Sequence, residues 1–158
     1  MGSKHIDFMR AAIAAGKDGV EKNKGGPFGC VIVKDGEIIA EGCNHVTSLN
    51  DPTAHAEVVA IRKACKILNH FELKDCILYT SCEPCPMCLG AIYWARPKAV
   101  YYACIAEDAN SVGFDDSFIY KELVLPHSER SIPMNQIGRE ESLDLFRKWE
   151  EKKDRSSY

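Results

Sequence analysis

The chain has 158 residues, the size of one domain, and such a length buries about 70% of its unfolded surface without disulfide staples. With 46% hydrophobic and 27% charged residues it does not have a disordered composition, and a net charge of −3 supplies no bulk field for nucleic acid or an anionic membrane. No apolar run approaches the roughly 20 residues of a membrane span. The first residues also lack a signal-peptide core, so a cytoplasmic, reducing setting is expected. The eight cysteines then point to metal binding or catalysis before a disulfide framework.

Phe8, Ala12 and Ala15, with Ala11 and Ile13 beside them, form a stripe that predicts a helix over residues 4–22. Gly25-Gly26-Pro27 ends it. Two strands follow, 28–34 and 37–42, joined by Asp35-Gly36, whose favoured hairpin turn needs φ > 0 at both central positions. A helix over 53–68 is expected next, capped by Asp51 or Thr53. Its Val58, Val59, Ile61, Ala64, Cys65, Ile67 and Leu68 predict a largely buried element. Residues 76–81 read as a strand, 85–95 as a helix stopped by Pro97, and 99–105 as a further strand. That strand–helix–strand unit predicts parallel pairing, and the sum is an α/β sheet with helices on both faces. After Pro126 the signals weaken until an amphipathic helix at 141–152.

One domain covering 1–158 is expected, with a C-terminal extension from about 139. Between 105 and 138, Glu107, Asp108, Asp115, Asp116, Glu122 and Glu129 outweigh Lys121 and Arg130. In the tail from Arg139 acidic and basic residues balance, so a polybasic nucleic-acid arm is absent.

Two motifs carry chemistry: His55-Ala56-Glu57 and Pro84-Cys85-Pro86-Met87-Cys88. Cys85 and Cys88 are three apart and share one helix face. Pro86 suits a first helical position, which puts Cys85 at the cap and both sulfurs in the first turn, where the helix dipole favours thiolates. His55 and Glu57 are two apart and serve one site only if it lies beyond the helix's N-terminal end. Three ligands, His55, Cys85 and Cys88, leave a fourth position for water, the arrangement of a catalytic zinc. Zinc brings the pKa of bound water to about 7, and Glu57, unligated and close, can take and return a proton. The combination matches the zinc-deaminase signature. The rival is a closed structural Cys₃His centre that adds Cys82. Cys30, Cys43, Cys65, Cys76 and Cys104 read as small core hydrophobes.

At these residues the chain resembles the cytidine deaminase superfamily and, within it, the bacterial guanine deaminases. The resemblance runs through Gly25-Gly26-Pro27-Phe28-Gly29, residues 50–57 (NDPTAHAE), residues 80–96 (TSCEPCPMCLGAIYWAR), residues 113–120 (GFDDSFIY) and the terminal Tyr158. Cys30 departs from the alanine expected in many relatives, which bears on packing alone. The resemblance implies a three-layer α/β/α sandwich around a mixed five-stranded sheet, with a C-terminal helical extension. It implies hydrolytic deamination of guanine to xanthine and ammonia, one zinc per subunit held by His55, Cys85 and Cys88, and Glu57 as proton carrier. Phe28 would stack on the purine, Asn44 would hydrogen-bond its edge and Asp116 would accept from a ring N–H. Ala56 belongs to the same substrate-binding set. A homodimer is also implied, with segment 139–158 swapped onto the partner's active site and Tyr158 as a lid from the other chain. Neither nucleic acid nor membrane is an expected partner.

By themselves these substrate residues have ordinary explanations. Phe28 packs in a core, Asn44 forms a turn, Asp116 caps a helix and Tyr158 frays. Other functions stay open too: deamination of cytosine, a nucleoside or a triazine, and deamination of adenosine in tRNA. The last shares both zinc motifs but wants a basic groove.

Overall fold

The computed structural model describes residues 2–158, and their side chains from Lys4 onward. The chain divides into two compact units, Met1–Asp116 and Ser117–Tyr158.

The first unit opens with α1 (Gly2–Glu21), close to the predicted span. β1 (Gly29–Lys34) and β2 (Glu37–Cys43) follow as an antiparallel hairpin. Asp35 and Gly36 have φ of 52° and 83°, as the Asp-Gly turn requires. A short α2 (Val46–Leu49), absent from the sequence expectation, precedes α3 (Ala56–Leu68). β3 (Cys76–Cys82), α4 (Pro86–Ala95) and β4 (Ala99–Cys104) form the strand–helix–strand unit, with β3 and β4 parallel as predicted. A six-residue α5 (Ala106–Ser111) comes next.

Among the described residues the sheet has four strands in the order β2-β1-β3-β4, and it is mixed, because β1 runs antiparallel to both its neighbours. The expected fifth strand is not there. Beyond Cys104 the backbone donors are taken by side chains: Ile105 N–H donates to Asp108 Oδ2 at 3.0 Å and Ala106 N–H to Glu83 Oε2 at 3.1 Å. Those bonds end β4 and turn the chain into α5. β4 therefore stands at the sheet edge with Tyr101 and Tyr102 exposed.

Successive strand residues point to opposite faces, and the two core clusters follow that alternation. Cys30, Ile32, Cys76 and Leu78 pack with Ala56, Ala60 and Ala64 of α3 and with Ile92 and Ala95 of α4. Val31, Val33 and Tyr79 pack with Met9 and Ala12 of α1. Each large aliphatic side chain fully buried this way contributes about 1.5–3 kcal/mol. Small residues set the spacing. A Cβ at Gly29 would strike the Ala12 carbonyl and come within 2.9 Å of Gly16 Cα, so α1 lies directly on β1.

Three expectations need correction. α3 begins at Ala56, not at 53, and neither Asp51 nor Thr53 caps it. Asp51 instead accepts from Thr53 N–H at 2.8 Å and Thr53 Oγ1 at 2.7 Å, which ties the loop before the helix. α3 is also less buried than predicted, with Ile67 exposed and only Ala56, Glu57, Ala60 and Ala64 buried. Cys104 is exposed rather than core, because it stands on the edge strand. Cys30, Cys43 and Cys76 are buried as expected, and Cys65 is half-buried.

The second unit holds α6 (Ser117–Leu123), a 3-10 turn (His127–Glu129) and α7 (Arg139–Glu151), the last at the predicted place. Arg130 ties the turn to α6: its guanidinium donates to the carbonyls of Leu125 and Leu123 at 3.2 and 3.4 Å. None of the unit's described residues is buried, and Phe118, Leu145, Phe146 and Trp149 are all exposed. Among the described residues no helix is long and apolar enough to cross a membrane.

Candidate metal centre and active site

Two helix starts converge. His55 is the N-cap of α3 and Cys85 the N-cap of α4, with Pro86 at the first helical position. This is the placement that the two-residue spacing of His55 and Glu57 demands, with the site beyond the end of α3. Gly42 lets α3 come so close, since a Cβ there would strike the Ala56 carbonyl and lie 2.8 Å from Ala60 N.

His55 Nδ1 lies 3.5 Å from Cys85 Sγ and 3.4 Å from Cys88 Sγ. One ligand atom from each residue lies within 4.8 Å of the others. A tetrahedral zinc with bonds of about 2.3 Å to sulfur and 2.0–2.1 Å to nitrogen holds those atoms about 3.5 Å apart. The donor set and its spacing therefore fit zinc. Cys82 is outside the group, its Sγ directed at the Ile105 carbonyl at 3.7 Å, so no fourth protein ligand closes the centre among the described residues.

The two thiols are electrostatically unlike without a metal. A bond from the Cys88 thiol pulls Cys85 well below the usual thiol range, and the same bond, with burial, pushes Cys88 up. Both thiols must be deprotonated to hold a metal. The bond to Cys85 also raises His55.

Glu57, one residue into α3, is buried at 6% exposure. Burial pushes its carboxyl above the ordinary value of 4.5. Its Oε1 accepts from Thr80 Oγ1 at 2.9 Å, while Oε2 lies 3.4 Å from Cys88 Sγ. The carboxyl thus stands beside the ligand cluster without belonging to it.

Asn44 is buried and its Oδ1 accepts from Gly26 N–H at 3.2 Å and Val46 N–H at 3.0 Å. With both lone pairs engaged, the amide can offer only its N–H donors to a ligand. Phe28 is half-buried and meets Phe114 edge-on, ring centroids 4.9 Å apart at 86°. Asp116 is half-buried; burial raises its carboxyl, and the negative Cys85 sulfur adds to the rise. Ala56 packs its methyl fully into the core, so only its backbone could meet a substrate. Tyr158 belongs to the second unit and is exposed.

Two residues that sequence reasoning left without a role stand out, Thr80 and Phe114. Thr80 carried a signal: a hydroxyl at an inward position of an otherwise apolar strand face. Phe114 carried none beyond its place in the 113–120 stretch.

Residues 2–104 match the family described as the cytidine and deoxycytidylate deaminase zinc-binding region. The chain is 60% identical over 154 residues to guanine deaminase of Bacillus subtilis (strain 168), covering 98% of this chain and 99% of that one. The X-ray structure of guanine deaminase from Bacillus subtilis superimposes with a TM-score of 0.95 at 60% identity, covering 98% of each chain. The tRNA-specific adenosine deaminase of Aquifex aeolicus (strain VF5) is 42% identical over 105 residues, which is 66% of this chain and 68% of that one. With a matching zinc-ligand geometry and this similarity along nearly its full length, the chain belongs to the cytidine and deoxycytidylate deaminase zinc-binding family.

Proposed function

We propose that the protein hydrolyses guanine to xanthine and ammonia in guanine breakdown, with one zinc ion per subunit held by His55, Cys85 and Cys88. The observation that carries this reading is the similarity to a guanine deaminase over 98% of the chain, which runs past Cys104 into the segment bearing Asp115 and Asp116. The tRNA-deaminase similarity covers only 66% of the chain. A polyanionic substrate would also meet the acidic 105–138 segment unfavourably.

When bound, zinc supplies a Lewis acid that makes water nucleophilic at neutral pH. Glu57 takes a proton from the attacking water and passes it to ring N3 as C2 becomes tetrahedral; it then takes the second proton from the C2 hydroxyl and delivers it to the departing amine as the C2 carbonyl forms. A raised carboxyl suits a group that must both receive and release a proton near neutrality. Phe28 offers a ring face to the purine, and the Asn44 amide offers a donor to its edge. Ala56 contributes backbone at the start of α3. Asp116 accepts from the N9–H, a contact that ribose would block, so the free base is preferred over guanosine.

The exposed Phe118, Leu145, Phe146 and Trp149, with no buried residue in their unit, support a homodimer in which the C-terminal segment is exchanged. In that assembly Tyr158 closes the partner's site. The core clusters on opposite strand faces support a three-layer α/β/α arrangement, and the unpaired cysteines support a cytoplasmic setting. The deciding experiment is an ammonia-release screen of guanine, guanosine, cytosine, cytidine and adenine, run before and after chelation. Guanine turnover lost on chelation and restored by zinc is the expected result; turnover of another base in preference to guanine overturns the substrate assignment.

A further inference from the structure

Glu57 has two carboxylate oxygens in unlike surroundings. Oε1 faces β3 and takes the Thr80 hydroxyl at 2.9 Å; Oε2 faces the ligand cluster, 3.4 Å from Cys88 Sγ. Thr80 itself is 1% exposed and pairs with Cys30 on one side and Tyr102 on the other, so the central sheet fixes its backbone. Its β-branched side chain has little rotamer freedom left. On the same face of β3, Cys76 and Leu78 are core residues packed against α3. A hydroxyl among them is costly unless bonded. Asn44, Glu57 and Thr80 are the buried polar residues among those described, and two of the three bond each other.

From this geometry we infer that Thr80 is a positioning residue for proton transfer. Its hydroxyl holds Oε1 against the sheet and thereby assigns Oε2 as the oxygen that takes the proton from water and returns it to the substrate. Without the Thr80 bond the carboxylate keeps only its own backbone N–H and the Cys88 thiol, and its terminal torsion, broad for Glu, is less tightly set. The inference rests on the proposed role of Glu57 as proton carrier and adds to it the residue that orients the carboxylate.

Thr80→Val keeps the shape and removes the donor, whereas Thr80→Ser keeps the donor. The zinc-loaded variants are to be compared with wild type on guanine, alongside zinc content and thermal stability. The expected result for Thr80→Val is a kcat lowered about 10- to 100-fold with KM changed less than about threefold and zinc retained; Thr80→Ser should recover kcat to within about fivefold of wild type. A Val variant with wild-type kcat, a loss carried in KM alone, or a Ser variant as impaired as Val overturns the inference. Should Thr80→Val fail to fold, Thr80→Ala is held to the same criteria. Wild-type turnover of guanine reads the functional assignment separately. If wild type proves inactive on guanine, the crystal structure of the zinc-loaded Thr80→Val protein decides: a turned Glu57 carboxylate supports positioning, and an unmoved one overturns it.

Discussion

Gly42 of β2 lies against Ala56 of α3 so closely that a Cβ would strike the Ala56 carbonyl and sit 2.8 Å from Ala60 N. The contact is backbone on backbone, so nothing flexible can give way. Gly42→Ala should cost about 1–3 kcal/mol by overpacking and displace the helix start that carries His55 and Glu57. A lower Tm together with weaker zinc retention against a chelator checks this. Gly90 of α4 has open space where a Cβ would go, so Gly90→Ala should be neutral or stabilising by about 0.5–1 kcal/mol.

Glu57→Gln separates chemistry from stability. Turnover by the zinc-loaded variant should fall about 10²- to 10⁴-fold, the range that general acid–base catalysis supplies. Zinc content should be unchanged, because Glu57 is outside the ligand group. Substantial activity in a zinc-loaded variant would remove Glu57 from the mechanism. Stability moves the other way. The folded pKa of Glu57 lies above its ordinary 4.5, so folding favours the protonated form. That contribution is fully present below the unfolded pKa and is lost as pH rises through the folded one. Metal-free Glu57→Gln should therefore melt above metal-free wild type at about pH 8, with the gap closing on acidification through the carboxylate range. Thermal melts across pH read it.

Asn44→Asp tests which end of the amide matters. Aspartate can still accept from the Gly26 and Val46 N–H groups, so the turn and the Tm should survive. The N–H donor proposed to meet the purine edge is lost. KM for guanine should rise about tenfold, the worth of one hydrogen bond of about 1–1.5 kcal/mol. An unchanged KM would leave Asn44 with a turn-forming role only.

Cys82→Ser distinguishes an open centre from a closed one. With Cys82 Sγ turned to the Ile105 carbonyl, the variant should keep both zinc and activity, whereas Cys88→Ser should lose both. Metal analysis and ammonia release read the two together. Zinc lost from Cys82→Ser would identify a structural Cys₃His site.

Spacing alone determined much of this protein. The Asp-Gly hairpin, the strand–helix–strand unit, the Cys85 cap followed by Pro86, and the placing of His55 and Glu57 at one helix start are local matters. Each depends on backbone geometry over a few residues, where turn chemistry and helical period act directly. Cys82 stayed an open alternative in the sequence, and the fold places it outside the group with its Sγ turned to the Ile105 carbonyl. What long-range packing decides was not legible. The first turn of α3 starts at Ala56 because Gly42 admits it against β2 and Asp51 is spent on Thr53, a competition between distant and near partners. β4 ends at Cys104, where Asp108 and Glu83 take the next two backbone donors, one from its own turn and one from across 23 residues. Thr80 meets Glu57 across 23 residues, and its neighbours in sequence say nothing of that partner. Local sequence set the candidate ligands, while only tertiary packing could put a hydroxyl behind one oxygen of Glu57 and leave the other facing the ligand cluster.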